Sequence, residues 1–98
     1  MPVMIFMDFE SNNPDIAASA NERALSINAE PGFLWKIWTK DAETDRPGGI
    51  YCFDDIVHAR NYIQMHQKRL SAMGAIDNQF KILNINEALT RLNHGPLE

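Results

Sequence analysis

Two segments that read as strands are apolar on both faces, and this limits what the chain can fold into more than any other feature. Residues 2–9 (PVMIFMDF) set Val3, Ile5, Met7 and Phe9 on one face and Met4, Phe6 and Asp8 on the other. Residues 33–40 (FLWKIWTK) set Phe33, Trp35 and Ile37 on one face, and Leu34 and Trp38 on the other with Lys36 between them. Successive strand side chains point to opposite faces, so a layer of helices covers only half of such a sheet. Water opposes leaving several large apolar side chains uncovered on the other half. A chain of 98 residues has no second sheet to spare, and at this size folding buries only roughly 60–65% of the unfolded surface. The economical solution is a symmetric homodimer packed sheet to sheet.

The remaining segments supply the helices. Asn13-Pro14-Asp15 is a helix start, with Asn13 as N-cap, Pro14 at the first helical position and an acid in the first turn. Ile16, Ala20, Ala24 and Ile27 continue as one amphipathic helix that ends before Pro31-Gly32. A charged connector over residues 41–46, a long and mobile hairpin loop, leads through Pro47-Gly48-Gly49 to a third strand over 50–53. Asp54-Asp55 caps a second helix with the inward stripe Ile56, Ala59, Ile63, His66, Leu70 and Met73, stopped by Gly74. A fourth strand over 76–85 and a short helix over 86–92 complete the chain. The order strand, helix, strand, strand, helix, strand predicts one ferredoxin-like α+β domain over residues 1–98, an antiparallel sheet with its helices on one face.

Charge and cysteine content exclude several function classes. The formal net charge is -4, and the nine basic residues form no stripe, which argues against a nucleic-acid groove or an anionic membrane surface. Cys52 is the only cysteine, so an internal disulfide and a CxxC zinc knuckle are both excluded, as befits a reducing cytoplasm. No apolar run approaches the roughly 18 residues of a membrane span, and the start lacks a signal-peptide pattern. The expectation is a soluble cytoplasmic protein. His58 and His66 lie about 80° apart around their helix, which makes no metal pair, and Pro47-Gly48-Gly49 is neither a dinucleotide fingerprint nor a P-loop. No metal and no cofactor is therefore expected.

His66 is the most informative titratable residue. Seven residues from Ala59, it falls within about 20° of it on the helix and so points at the sheet, where a proton-transfer group is useful. The aromatic residues Trp35, Trp38, Tyr51, Phe53 and Tyr62 concentrate on two strands and the facing helix. They read as core side chains or as the walls of a pocket for a flat substrate, and the Tyr51 hydroxyl and the two indoles need partners if buried. Cys52, of opposite parity to Tyr51 and Phe53, reads as a small buried hydrophobe in the dimer interface.

The strings Glu30-Pro-Gly-Phe-Leu-Trp-Lys-Ile-Trp-Thr39, Gly48-Gly-Ile-Tyr-Cys-Phe53 and Tyr62-Ile-Gln-Met-His66 resemble the YdhR-like monooxygenases. These are a branch of the dimeric α+β barrel proteins that includes cofactor-independent quinol and antibiotic-biosynthesis monooxygenases. The resemblance covers nearly the whole chain. It implies a homodimer that needs no cofactor and monooxygenates a phenolic or quinol-like compound with molecular oxygen. By this resemblance His66 would be base or donor, Tyr51 and Trp38 its hydrogen-bonding partners in catalysis, and Trp35, Phe53 and Tyr62 the substrate-binding walls. The alternative from another class is a non-catalytic dimeric module that binds an aromatic metabolite or haem in the same cavity.

Overall fold

The computed structural model describes residues 1–97. Its elements run β1 (Val3–Glu10), α1 (Pro14–Ala18), α2 (Ala20–Ile27), β2 (Phe33–Lys40), β3 (Pro47–Phe53), α3 (Ile56–Ala72), β4 (Ile76–Asn84) and α4 (Glu87–Leu92). The four strands form one sheet in the order β2-β3-β1-β4, with every neighbouring pair antiparallel. The expected α+β arrangement is thus present. On the central strand β1, Val3, Ile5, Met7 and Phe9 are buried beneath the helices, Ile5 completely. Met4 and Phe6 face the other way, and Phe6 remains 42% exposed. The core joins those β1 residues to Tyr51 and Phe53 of β3, Ile16 and Ile27 of the first helical segment, and Ala59, Tyr62, Ile63 and Leu70 of α3.

The first helical segment differs from the single helix expected. It is interrupted at Ser19, whose φ of -96° and ψ of 9° are not helical. The Ser19 hydroxyl donates to the Asp15 carbonyl at 2.7 Å and accepts from Arg23 Nη1 at 2.8 Å. Such local side-chain bonding competes with the helical ladder. The start is as expected: the Asn13 side-chain oxygen accepts the Asp15 N–H at 3.0 Å, and its Nδ2 donates to the Met73 carbonyl at 2.7 Å, tying α1 to the end of α3.

The strand faces of β2 also depart from strict alternation. Phe33 pairs with Phe53, but Trp35 pairs with Cys52, so Leu34 is an extra residue and β2 carries a bulge. A bulge moves every later side chain to the other face. Phe33 therefore packs under the helices while Trp35 and Ile37 turn to the open face, and Lys36 and Trp38 turn inward, opposite Tyr51 and Gly49. The third strand starts three residues earlier than expected, because Pro47, Gly48 and Gly49 pair with β2. Gly48 is required there: a Cβ would collide with the Met7 carbonyl. Arg46 anchors the end of the connector, reaching Asp8 at 2.8 Å, Asp77 at 3.0 Å and Glu10 at 3.3 Å.

The second predicted helix, α3, is capped by Asp55, which accepts the His58 N–H at 2.9 Å, and stops before Gly74, whose φ is 97°. Ala59, Ile63, His66 and Leu70 are buried as the stripe requires; Ile56, in the first turn, stays exposed.

Candidate active site

Residues that follow the bulge and residues on either side of the break at Ser19 line one cavity. It lies between the inward face of β2 and β3, the α1–α2 segment and α3, and it has a volume of about 230 Å³. An apolar cavity of roughly 150 Å³ holds benzene, so this one has room for a substituted one-ring or compact two-ring compound. Met7, Phe9, Ile16 and Leu70 supply apolar walls, and Trp38 an aromatic one. The polar groups that converge on it are Tyr51, His66, Lys36 and Arg23. No aspartate or glutamate is among the lining residues. A chain of net charge -4 has gathered cations here.

His66 sits in a chain of hydrogen bonds. Arg69 Nη2 lies 2.9 Å from His66 Nδ1, and Tyr51 Oη lies 3.3 Å from His66 Nε2. A guanidinium only donates, so Nδ1 must accept and Nε2 must carry the proton, which it donates to the Tyr51 oxygen. Burial, with the nearby Arg69, Lys36 and Arg23 charges, lowers the His66 pKa to about 3. The imidazole is neutral at physiological pH, its lone pair held by Arg69 and its N–H aimed at Tyr51. That arrangement makes His66 a donor and leaves little basicity for proton abstraction.

Tyr51 is 2% exposed, and burial pushes its hydroxyl well above the usual tyrosine range. It remains a neutral O–H. Because its oxygen accepts from His66, its own proton goes to the neighbouring Tyr62 hydroxyl and reaches an oxygen in the cavity by leaving that bond, and the bond accepted from His66 polarises it toward donation. Tyr62 stacks on His66 with ring centroids 5.0 Å apart and 22° between planes, and its hydroxyl is pushed up to about 12 by burial.

Lys36 is the group that reading the sequence missed. Its Nζ lies 3.4 Å from the Trp38 ring centroid and 4.4 Å from that of Tyr51. It makes no hydrogen bond or ion pair among the described residues. Desolvation by burial, with Arg23 and Arg69 nearby, lowers its pKa to about 7. Gly49 makes room for it, since a Cβ there would come within 2.8 Å of Lys36 Cε. Two arginines complete the positive wall. Arg23, 9% exposed, donates to the Ile16 carbonyl at 2.8 Å and to Ser19; Arg69 holds His66. Neither Arg23 nor Lys36 was legible: Arg23 is seated by the break at Ser19, and the inward direction of Lys36 depends on the bulge at Leu34.

Of the expected site residues, Tyr51, His66 and Trp38 come together at the cavity. The three expected walls do not line it. Trp35 stands on the opposite sheet face, where its Nε1 donates to the Pro96 carbonyl at 2.8 Å. Phe53 is fully buried against Phe33 and Tyr62, and Tyr62 backs His66 from behind. Outside the cavity, Asp54, Asp55 and His58 bring their ligand-type atoms within 4.8 Å of one another. Capping accounts for Asp55, and a 2.7 Å ion pair with Asp54, which raises the His58 pKa, accounts for the other two. Cys52 is buried, and desolvation pushes its thiol up.

Among the described residues no helix is long and apolar enough to cross a membrane. The model of the family described as "Putative mono-oxygenase ydhR" matches residues 4–96. No curated protein matches the chain. Several solved structures share its fold, among them the following two. One is a "putative antibiotic biosynthesis monooxygenase" from Deinococcus radiodurans, with a TM-score of 0.66 and 11% identity over 88% of this chain and 93% of the other. The second is SnoaB from Streptomyces nogalater, a cofactor-independent oxygenase solved as an Asn-to-Ala mutant, with a TM-score of 0.65 and 14% identity over 87% of this chain and 93% of the other. These identities carry the fold alone, whereas the family match spans nearly the whole sequence: the chain belongs to the YdhR mono-oxygenase family.

Proposed function

We propose that this protein is a cofactor-independent monooxygenase that acts on a phenolic or quinol-like aromatic compound, as a homodimer. The observation that carries the reading is an aromatic-sized apolar cavity closing on a buried Tyr51 O–H that His66 polarises. A quinol can do this chemistry with protein groups alone because it brings its own electrons. One quinol and one dioxygen give one hydroxyquinone and one water; the substrate loses four electrons and dioxygen gains them. The quinol first loses a hydroxyl proton, and its oxyanion passes an electron to dioxygen. The resulting radical pair joins at carbon as a peroxide, which gains a proton; the carbon then gives up its hydrogen as a proton, the O–O bond breaks, the near oxygen stays as a carbonyl and the far one leaves as hydroxide and takes that proton to become water.

The protein contributes a dry site and donors for the oxyanion. Tyr51 donates to the substrate oxygen, His66 fixes and polarises Tyr51, and Trp38 forms a wall. Both ring nitrogens of His66 are engaged within the chain, which weighs against an axial bond to haem. The homodimer reading draws support from the open sheet face, where Phe6, Ile37 and Leu83 remain 42%, 52% and 44% exposed.

Oxygen-electrode measurements on chelator-treated protein with a panel of quinols and polyphenols test this reading. Uptake with at least one quinol is expected, and Tyr51→Phe should lower it about 10²-fold or more, the effect of losing one oxyanion donor. Binding of the panel without uptake, or full uptake by Tyr51→Phe, contradicts it.

A further inference from the structure

Among the described residues, Lys36 has no hydrogen-bond or ion-pair partner and the cavity it lines contains no acid. Lys36 is partly buried, and charged side chains are seldom withdrawn from water without a partner because the lost hydration is costly. Here the surroundings add to that cost. Arg23 from α2, Arg69 from α3 and Lys40 from β2 are cationic, His66 is neutral and Tyr51 is un-ionised. Lys40 has its own partner, Asp45, at 2.9 Å, and Arg23 and Arg69 donate within the chain. Lys36 alone of these four makes no hydrogen bond or ion pair at all among the described residues, and is held beside the Trp38 and Tyr51 rings. What the site lacks is a negative charge, and the missing charge has to arrive with the ligand.

We propose that Lys36 takes the hydroxyl proton of an acidic phenol or enol entering this cavity and, as the ammonium so formed, holds the oxyanion while Tyr51 donates to it. The step balances: the O–H bond breaks, its electron pair stays on oxygen, and the proton forms the third N–H bond of the ammonium. This deepens the oxygenase reading and rests on it for the later fate of the anion, but the binding step stands independently. An amine that titrates near neutrality, as burial and the two arginines make Lys36 do, is free to accept that proton at physiological pH. Substrate selection follows: the cavity favours compounds with an ionisable hydroxyl over their methyl ethers or hydrogen analogues of equal size.

The test uses 4-nitrophenol, whose phenolate is coloured, and nitrobenzene, its analogue without the hydroxyl, titrated into the full chain. In the wild type the bound nitrophenol should be ionised at pH values where the free dye is protonated. Lys36→Met keeps an apolar stem and removes the charge; phenolate affinity should fall about 10- to 100-fold, the value of a charged hydrogen bond, with nitrobenzene affinity unchanged. Gly49→Ala, whose Cβ would press on Lys36 Cε and also on Tyr51 Cε1, keeps both groups and should give a smaller loss of the same kind. The proposal is overturned if Lys36→Met binds the phenolate as tightly as the wild type, if the bound dye is protonated, or if neither probe binds. Because binding and colour are the readouts, phenolate capture without oxygen uptake would overturn the oxygenase reading alone, and uptake with unchanged dye binding in Lys36→Met would overturn this proposal alone.

Discussion

Ile5→Asp is expected to leave the chain unfolded at room temperature, whereas Phe6→Asp, one residue along the same strand, leaves it folded. Ile5 is completely buried in the central strand, opposite Tyr51 on one side and Ile82 on the other. A carboxylate there has no cation to pair with and costs several kcal/mol beyond the lost packing. A domain of this size has a total stability of about 5–15 kcal/mol, and its small core puts it toward the lower end. Phe6 faces the open side and is already in part exposed to water. Its replacement should act on association. Light scattering should give about twice the 11.2 kDa chain mass for the wild type and the chain mass for Phe6→Asp, with native circular dichroism in both. A folded Ile5→Asp would contradict the assignment of faces, and a wild-type monomer would contradict the homodimer.

The second large effect is acid lability centred on His66. Its pKa in the folded chain, about 3, is far below the ordinary value of 6.5 that it regains on unfolding. Between those values the unfolded state binds a proton that the folded state does not, so stability falls as pH falls from 6.5 toward 3. One such proton contributes a slope of up to about 1.4 kcal/mol per pH unit. His66→Gln cannot titrate, and it keeps a hydrogen-bonding group between Arg69 and Tyr51. Its urea midpoint should therefore be lower than wild type at pH 7 and fall less steeply toward pH 4. His66→Ala orphans both neighbours and should cost about 1–3 kcal/mol at pH 7 through unpaired groups alone. Parallel pH profiles for wild type and His66→Gln would contradict the neutral, doubly bonded imidazole. Lys36 acts in another window: its folded pKa of about 7 lies below the ordinary 10.5, so it makes stability rise with pH between them, a rise that Lys36→Met should remove.

Particular residues show how far sequence reading reaches in this chain. The order of elements, the cap at Asn13, the stop at Gly74 and the inward direction of His66 follow from local chemistry and helical geometry, and the structure has all of them. Two local irregularities carried what was missed. In the sequence Ser19 is an ordinary helical residue, yet its hydroxyl bonds to Asp15 and Arg23, which breaks the helix and seats Arg23 over the cavity. In the sequence Leu34 is one more alternating strand residue, yet the bulge there sends Trp35 to the far face and Lys36 inward. Bulge positions depend on how two strands settle against each other, with no fixed residue signature. Strict alternation therefore keeps Trp35 on the face of Phe33 and passes over the lysine, while Trp38, also expected at the site, does line the cavity.

The most direct test of the central claim is a single-turnover reaction of chelator-treated protein with an active quinol under isotopically heavy dioxygen. The account predicts one heavy oxygen atom in the hydroxyquinone and one in water, in the wild type and not in Ala20→Trp, which fills the cavity at one of its lining residues. Unlabelled product with hydrogen peroxide released, or undiminished labelling by the filled variant, would contradict it.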